Sequence, residues 1–244
     1  MPFTFSHPAI VLPLNKLKTP LLSPTALVIG SMIPDFEYFL RLNITSIYSH
    51  TWLGLFWFDL PLGLLVYFVY ERFVKNALID NLPVYLNRRF SSSRNEESTL
   101  KIPLMVLIGS VIIGAASHIF WDGFTHWKGT FVPIFPFLRR WVTIGHIHVK
   151  VHTILQHLST LAGAVVIAAV VIRMKPNGAT AFYRRRLFWP LVLFTIVFLL
   201  LLKFWLGMRL DDYGVVIIVG VSGFLLGLLV AAVFLRLGKN AEDT

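Results

Sequence analysis

Ile102-Pro-Leu-Met-Val-Leu-Ile-Gly-Ser-Val-Ile-Ile-Gly-Ala-Ala-Ser-His-Ile-Phe-Trp-Asp-Gly-Phe-Thr-His126 decides the fold class and marks where chemistry can occur. From Ile102 to Trp121 its only titratable side chain is His118. A helix needs about 20 mainly apolar residues to cross a hydrocarbon layer about 30 Å thick, and this run is long enough. Four further runs match it. Trp52–Tyr70 contains one acid, Asp59; Thr153–Ile172 contains only His157; Leu187–Met208 contains only Lys203; Gly214–Leu235 carries no charge. The run Leu21–Ile33 is shorter, is flanked or interrupted by Pro20, Pro24 and Pro34, and meets Asp35 and Glu37 at once. That length suits a re-entrant or interfacial helix. The expected fold is therefore all-α: a polytopic membrane helix bundle with about five transmembrane helices and one re-entrant or interfacial N-terminal helix.

Composition agrees. Hydrophobic residues make up 56% of the chain, charged residues 14%, and the mean hydropathy is +0.73. Soluble domains carry about 25% charged residues, so a soluble domain and a disordered chain are both excluded. The absence of cysteine excludes disulfide scaffolds, Cys-ligated zinc and iron–sulfur clusters; a metal site must use His, Asp and Glu. The net charge of +10 comes from scattered Lys and Arg, and no nucleic-acid-binding signature is present. Membrane lipid is the expected partner, with no nucleic acid. Residues 1–10 lack Lys and Arg, so no signal peptide is expected. The chain is expected to form one integral membrane domain over 1–244, with a site-bearing part, 1–163, and a C-terminal helical part, 164–244. Gly223-x-x-x-Gly227 is expected to pack helices within the chain.

The connections differ. Glu71–Lys101, with the polar run Ser91–Thr99, is expected to be a long solvated loop, and Arg173–Arg186 a short basic one. Residues 122–150 are rich in His, Trp, Phe and Gly. With five spans, nine Lys and Arg fall on the side of the N-terminus and 13 on the other. The positive-inside rule places the richer side in the cytoplasm.

All eight histidines fall on the opposite side or in its outer membrane layer, with Asp35, Glu37, Asp122 and four tryptophans. An interfacial belt accounts for the tryptophans but poorly for acids mixed with histidines. His118, Asp122 and His126 follow one another at intervals of four. On a helix such residues share a face, about 6 Å apart along the axis. Gly123 and Gly129 weaken the helix there, so His126 is expected to leave it. Ionisable groups at the end of an apolar span are costly and functional by default, and His nitrogen with Asp oxygen suits zinc when sulfur is absent. Asp35 follows Pro34, and His50 opens the first span. That span is antiparallel to the second, so these residues can meet His118 and Asp122. A metal site and a hydrogen-bonded polar cluster both fit this pattern. Asp59 reads as a bundle pairing or an ion path. Gln156, His157 and Ser159 read as cross-helix hydrogen bonding or support for a site. His146, His148 and His152 have ligand-like spacing or are interfacial. No G-x-S-x-G, HExxH, Walker A or GxGxxG motif occurs.

Met1-Pro-Phe-Thr-Phe-Ser-His-Pro-Ala9, Gly30-Ser-Met-Ile-Pro-Asp-Phe-Glu37, Ser49-His-Thr51, Ser117-His-Ile-Phe-Trp-Asp-Gly-Phe-Thr-His126 and Leu155-Gln-His-Leu-Ser-Thr160 occur in that order. Together they resemble the bacterial membrane family called domain of unknown function 4184. More distantly they are similar to inner-membrane metal-dependent hydrolases, which look like membrane relatives of the zinc-dependent phospholipases C. The resemblance implies His7, Asp35, His50, His118 and Asp122 as metal-site residues and a bacterial inner-membrane location; in the expected mechanism Asp35 or Asp122 binds the metal or accepts the proton of its water. The positive-inside count puts the site on the non-cytoplasmic side. His126, Gln156 and His157 are further candidates. The zinc phospholipases carry a later His-x-x-x-Glu, whose nearest counterpart here is His148-x-x-x-His152. The expected function is metal-dependent hydrolysis, with zinc as cofactor, of a phosphoester or lipid head group. A non-enzymatic membrane module using the same cluster for ion binding or packing is the alternative.

Overall fold

The computed structural model describes residues 3–17, 19–94, 102–177 and 185–242. Residues 95–99 of the polar run and Arg184 lie outside the described residues. The helices are α1 (Pro8–Val11), α2 (Pro24–Met32), α3 (Phe36–Arg41), α4 (Leu60–Val69), α5 (Lys75–Asn81), α6 (Val84–Phe90), α7 (Leu104–Thr125), α8 (Val151–Arg173), α9 (Arg185–Trp205) and α10 (Tyr213–Glu242). Among the described residues four helices are long and apolar enough to cross a membrane: Leu104–Thr125, Val151–Arg173, Arg186–Trp205 and Tyr213–Leu237. The all-helical class is the observed one.

The first expected span has a different construction. A π-helical turn over Leu55–Asp59 leads into α4, and a second one, Tyr70–Val74, follows it. Leu60 N–H donates to Leu55 O and Lys75 N–H to Tyr70 O, each five residues back. Pro61 has no N–H for the ordinary helical ladder, so a local irregularity beside it is expected. Past this segment, the expected solvated loop is instead α5, α6 and a 3₁₀ turn at Ser91–Ser93. Asn87 Nδ2 donates to Ile79 O at 2.7 Å and ties α6 to α5.

The chain forms two compact units. One comprises Met1–Asp35, Ile47–Leu65 and Ile102–Arg173. Its centre is the crossing of α2 and α7. Ser23 caps α2 by accepting from Ala26 N–H, and Pro24 occupies its first turn, where a missing N–H costs nothing. At nine residues α2 is about 13–14 Å long, too short to span. A Cβ on Gly30 would stand 2.5 Å from Val111 O, and one on Gly114 would stand 2.5 Å from Leu27 O. Only glycine lets the two backbones come this close. Inside lipid, such packing replaces the hydrophobic effect as the source of helix association. Leu27, Ile33, Val111 and Ala115 are fully buried around the crossing.

After α7 the chain forms a hairpin of β1 (Trp141–Ile144) and β2 (Ile147–Lys150), antiparallel with Ile144 opposite Ile147. The β-branched residues suit strands, and the two-residue turn has Gly145 at φ +60°. The sequence pattern had offered no strand here.

The other unit comprises Phe36–Ser46, Val66–Lys101 and Met174–Thr244. Its core gathers Val74, Phe188, Val192, Leu228 and Ala231. The Gly223-x-x-x-Gly227 face of α10 lies directly on α9, against Ile196 and Val192, so it packs helices within the chain. Trp189 Nε1 donates to Asn81 O at 2.8 Å.

Candidate metal centre

The α2–α7 crossing brings the C-terminal half of α7 against the end of α2. His118 and Asp122, one turn apart, face the 3₁₀ turn Ile33–Asp35 that follows α2. The loop before Leu55 delivers His50, and the N-terminal hook, a 3₁₀ turn at Thr4–Ser6 followed by α1, delivers His7. Asp35, His50, His118 and Asp122 each offer a ligand atom, and these atoms all lie within 4.8 Å of one another.

The separations are specific. Asp35 Oδ1 is 3.3 Å from His50 Nε2 and 3.5 Å from His118 Nε2. Asp122 Oδ2 is 3.3 Å from His118 Nε2, 3.6 Å from His50 Nε2 and 3.4 Å from His126 Nδ1. Asp122 Oδ1 is 3.5 Å from His7 Nε2. The His7 ring stacks on His118, with centroids 3.7 Å apart and planes inclined by 18°. Charge-assisted N–H···O bonds are about 2.7–2.9 Å long, and these gaps exceed that. They match donors sharing one ion, since two ligands each about 2.1 Å from it stand roughly 3–3.5 Å apart.

The outer contacts aim these atoms inward. His118 Nδ1 lies 2.7 Å from Ser31 O. A carbonyl only accepts, so Nδ1 carries a proton, and Nε2 is the ring nitrogen turned to the cluster. Thr4 Oγ1 donates to Asp35 Oδ2 at 2.6 Å, leaving Oδ1 on the inner side. Ser49 Oγ is 3.0 Å from His50 Nδ1. His118 and Asp35 are fully buried, yet His118 Nε2, Asp35 Oδ1, both Asp122 oxygens and His7 Nε2 have no hydrogen-bond partner. Unmet buried polar atoms are expensive. Five converging in one place fit a cation-holding donor set.

The charges also fit. Burial pushes the Asp35 carboxyl up, but His118 and His50 outweigh it and hold it well below the usual carboxylate range. Burial pulls the His50 imidazole down, but Asp122 and Asp35 outweigh it and hold it above 6.5. His7 has a weaker carboxylate environment; burial, then His118, lowers it to about 3. Burial also lowers His126.

The structure thus brings together His7, Asp35, His50, His118 and Asp122, with His126 at the edge. His126 has left the helix, at φ −110° and ψ 144°. There Phe131 N–H donates to Gly123 O, and a Cβ on Gly129 would stand 2.4 Å from that carbonyl. Gln156 and His157 lie on α8, with His157 exposed, outside the four-residue group. His148 is on β2, with Nδ1 3.0 Å from Thr143 Oγ1, and His152 is buried on α8 beside Trp127. The pair therefore does not share a helix face. Asp59 is fully buried at the end of its π-helical turn. Thr4, Ser31 and Ser49 escaped the sequence reading as orienting groups, although each lies within a few residues of a candidate ligand in the quoted motifs.

No curated protein and no solved structure matches this chain. A family model does match, over residues 1–233. The chain belongs to the family described as a domain of unknown function, DUF4184.

Proposed function

We propose that this protein is a multi-pass membrane hydrolase in which Asp35, His50, His118 and Asp122 hold a divalent ion, zinc, and act on a phosphoester or lipid head group. The observation that carries the reading is the convergence of ligand atoms from Asp35, His50, His118 and Asp122, with carboxylate oxygens and imidazole nitrogens 3.3–3.6 Å apart. Two donors at tetrahedral angles about 2.1 Å from zinc stand about 3.4 Å apart. When bound, zinc lowers the pKa of its water to about 7 and polarises the scissile group.

The chain's own residues do the positioning. Ser31 fixes the His118 tautomer, Thr4 fixes Asp35, and the two carboxylates balance a divalent charge in a site that water would otherwise have to screen. Asp122 presents one oxygen to His118 and His50 and the other to His7. In hydrolysis the water oxygen ends on phosphorus, the bond to the departing alcohol breaks, and the proton ends on that alcohol. Asp122 and Asp35 are the carboxylates beside which that proton can move.

The segment from Leu55 to Val74 is the fifth crossing in this reading, and the cluster lies on the non-cytoplasmic side of a bacterial inner membrane. Reporter fusions after Ser93 and Arg140 test the topology; the two points on the same side would refute it. Metal analysis of the purified protein beside His118→Ala, followed by assay of a nitrophenyl phosphodiester with and without added zinc, tests the site. Metal in the wild type only, with zinc-dependent hydrolysis, is expected. Metal without hydrolysis of any phosphoester would favour an ion-binding membrane module.

A further inference from the structure

A cavity of about 180 Å³ adjoins the cluster between the N-terminal hook, α7 and α8. His7 belongs to both. Its ring lines the cavity, and its Nε2 is 3.5 Å from Asp122 Oδ1. The wall on α8 consists of Ser159, Ala162 and Val166, with Gly163 between them. These positions follow the i, i+3, i+4, i+7 spacing of a single helix face. From Ser159 to Val166 the wall runs about 10 Å along the helix axis. The hook supplies Ser6 and His7, then Ile10. Along both walls, polar residues give way to apolar ones.

The hook is held at a fixed distance from α8. Phe3 N–H donates to Thr160 Oγ1, and Ser6 Oγ donates to Thr160 O, both at 3.0 Å. A Cβ on Gly163 would stand 2.7 Å from Ser6 O, so glycine sets this approach. Beyond the contact the cavity opens outward, because Ala162 and Val166 are exposed. Only 6% of the most apolar stretch of α8 is buried. For a helix that crosses a membrane, the medium around that surface is hydrocarbon, so the opening meets acyl chains rather than water.

We propose that this groove seats one acyl chain of a membrane amphiphile, lying along α8 past Ala162 and Val166, with the head group at His7 and Asp122. The fate of that head group rests on the hydrolase reading above; the seating of the chain does not. A substrate entering this way is a lipid that keeps its tail in the bilayer. The site then selects for a lipid with one chain in the groove rather than for a water-soluble phosphoester.

Photo-cross-linking tests this with the full chain in phosphatidylcholine vesicles holding a trace of phosphatidylglycerol with a mid-chain diazirine. Labelling of the hook at Ile10 is the readout, because that half-buried side chain lines the groove. The double variant Ala162→Phe, Val166→Phe should lower hook labelling severalfold and leave bound metal unchanged. Leu161→Phe, on the opposite face of α8, should leave both unchanged. Hook labelling that is absent in the wild type, or equal in the double variant, would overturn the proposal even if metal is bound. Retained labelling in metal-free His118→Ala would support the groove and separate it from the metal reading.

Discussion

Replacing Asp122 by Asn removes one negative charge and little else. Four imidazoles surround that carboxylate, with nitrogen–oxygen distances of 3.3 Å to His118, 3.4 Å to His126, 3.5 Å to His7 and 3.6 Å to His50. If Asp122 is a ligand, the Asn variant lacks one of two anions that offset a divalent ion in a buried site. Losing a partner that merely orients a ligand costs about 10–100-fold in metal affinity. Losing the ligand itself should cost at least about 100-fold, or roughly 2.7 kcal/mol. At saturating zinc for the wild type, the same amount should vanish from zinc-induced stabilisation. The assay is metal content after dialysis, together with thermal unfolding in detergent with and without zinc. Asp211→Asn, at an exposed site beside Arg209, should change neither, since surface changes stay within about 0.5 kcal/mol. Equal zinc content and an equal zinc-induced shift in wild type and Asp122→Asn would refute the reasoning.

Thr4→Val removes the 2.6 Å bond to Asp35 Oδ2 and strands a buried carboxylate oxygen, which costs about 1–3 kcal/mol; zinc titration should show weaker binding with His118 intact. Gly114→Ala should destabilise by about 1–3 kcal/mol through overpacking against Leu27 O. Its gain in helix propensity is only about 1 kcal/mol. Gly109→Ala in the same helix meets nothing within 4 Å and should be neutral or stabilising, which parallel thermal unfolding would show. Metal affinity should fall as pH falls. The His50 pKa is raised, so below that value a proton occupies the ligand position, and one displaced proton weakens binding about tenfold per pH unit. In the metal-free protein the sign reverses for His50. Its charged form contributes stability below pH 6.5, and this is lost as pH rises through the raised value. Asp35, held low, contributes above the ordinary carboxylate range and loses that only as pH falls through its lowered value. Calorimetric zinc titrations and metal-free melts across pH separate these effects.

Length and hydrophobicity alone carried the helical class. Leu104–Thr125, Val151–Arg173, Arg186–Trp205 and Tyr213–Leu237 are long and apolar enough to cross a hydrocarbon layer, and lipid leaves a backbone few alternatives to a helix. Helical spacing also put His118 and Asp122 on one face, because four residues make about one turn. The exit of His126 followed from Gly123 and Gly129. The Glu71–Ser93 stretch misled because its polar residues suggested solvent. Its helices are set instead by contacts such as Asn87 to Ile79, which no periodicity records. The π-helical turns and the Trp141–Lys150 hairpin were equally hidden, since both depend on local chain geometry more than on apolar pattern.

What the sequence determined by itself is local: which segments suit lipid, and which ionisable groups lie one turn apart. The tertiary structure decided the meeting of Asp35 with His118, residues 83 positions apart in the chain. That meeting depends on Gly30 and Gly114 passing backbone to backbone, on Ser31 O receiving the His118 proton, and on the hook bringing His7 onto the His118 ring. Each is a contact between segments distant in sequence. Such contacts follow from shape and close packing in three dimensions, which a one-dimensional pattern of residue types does not contain.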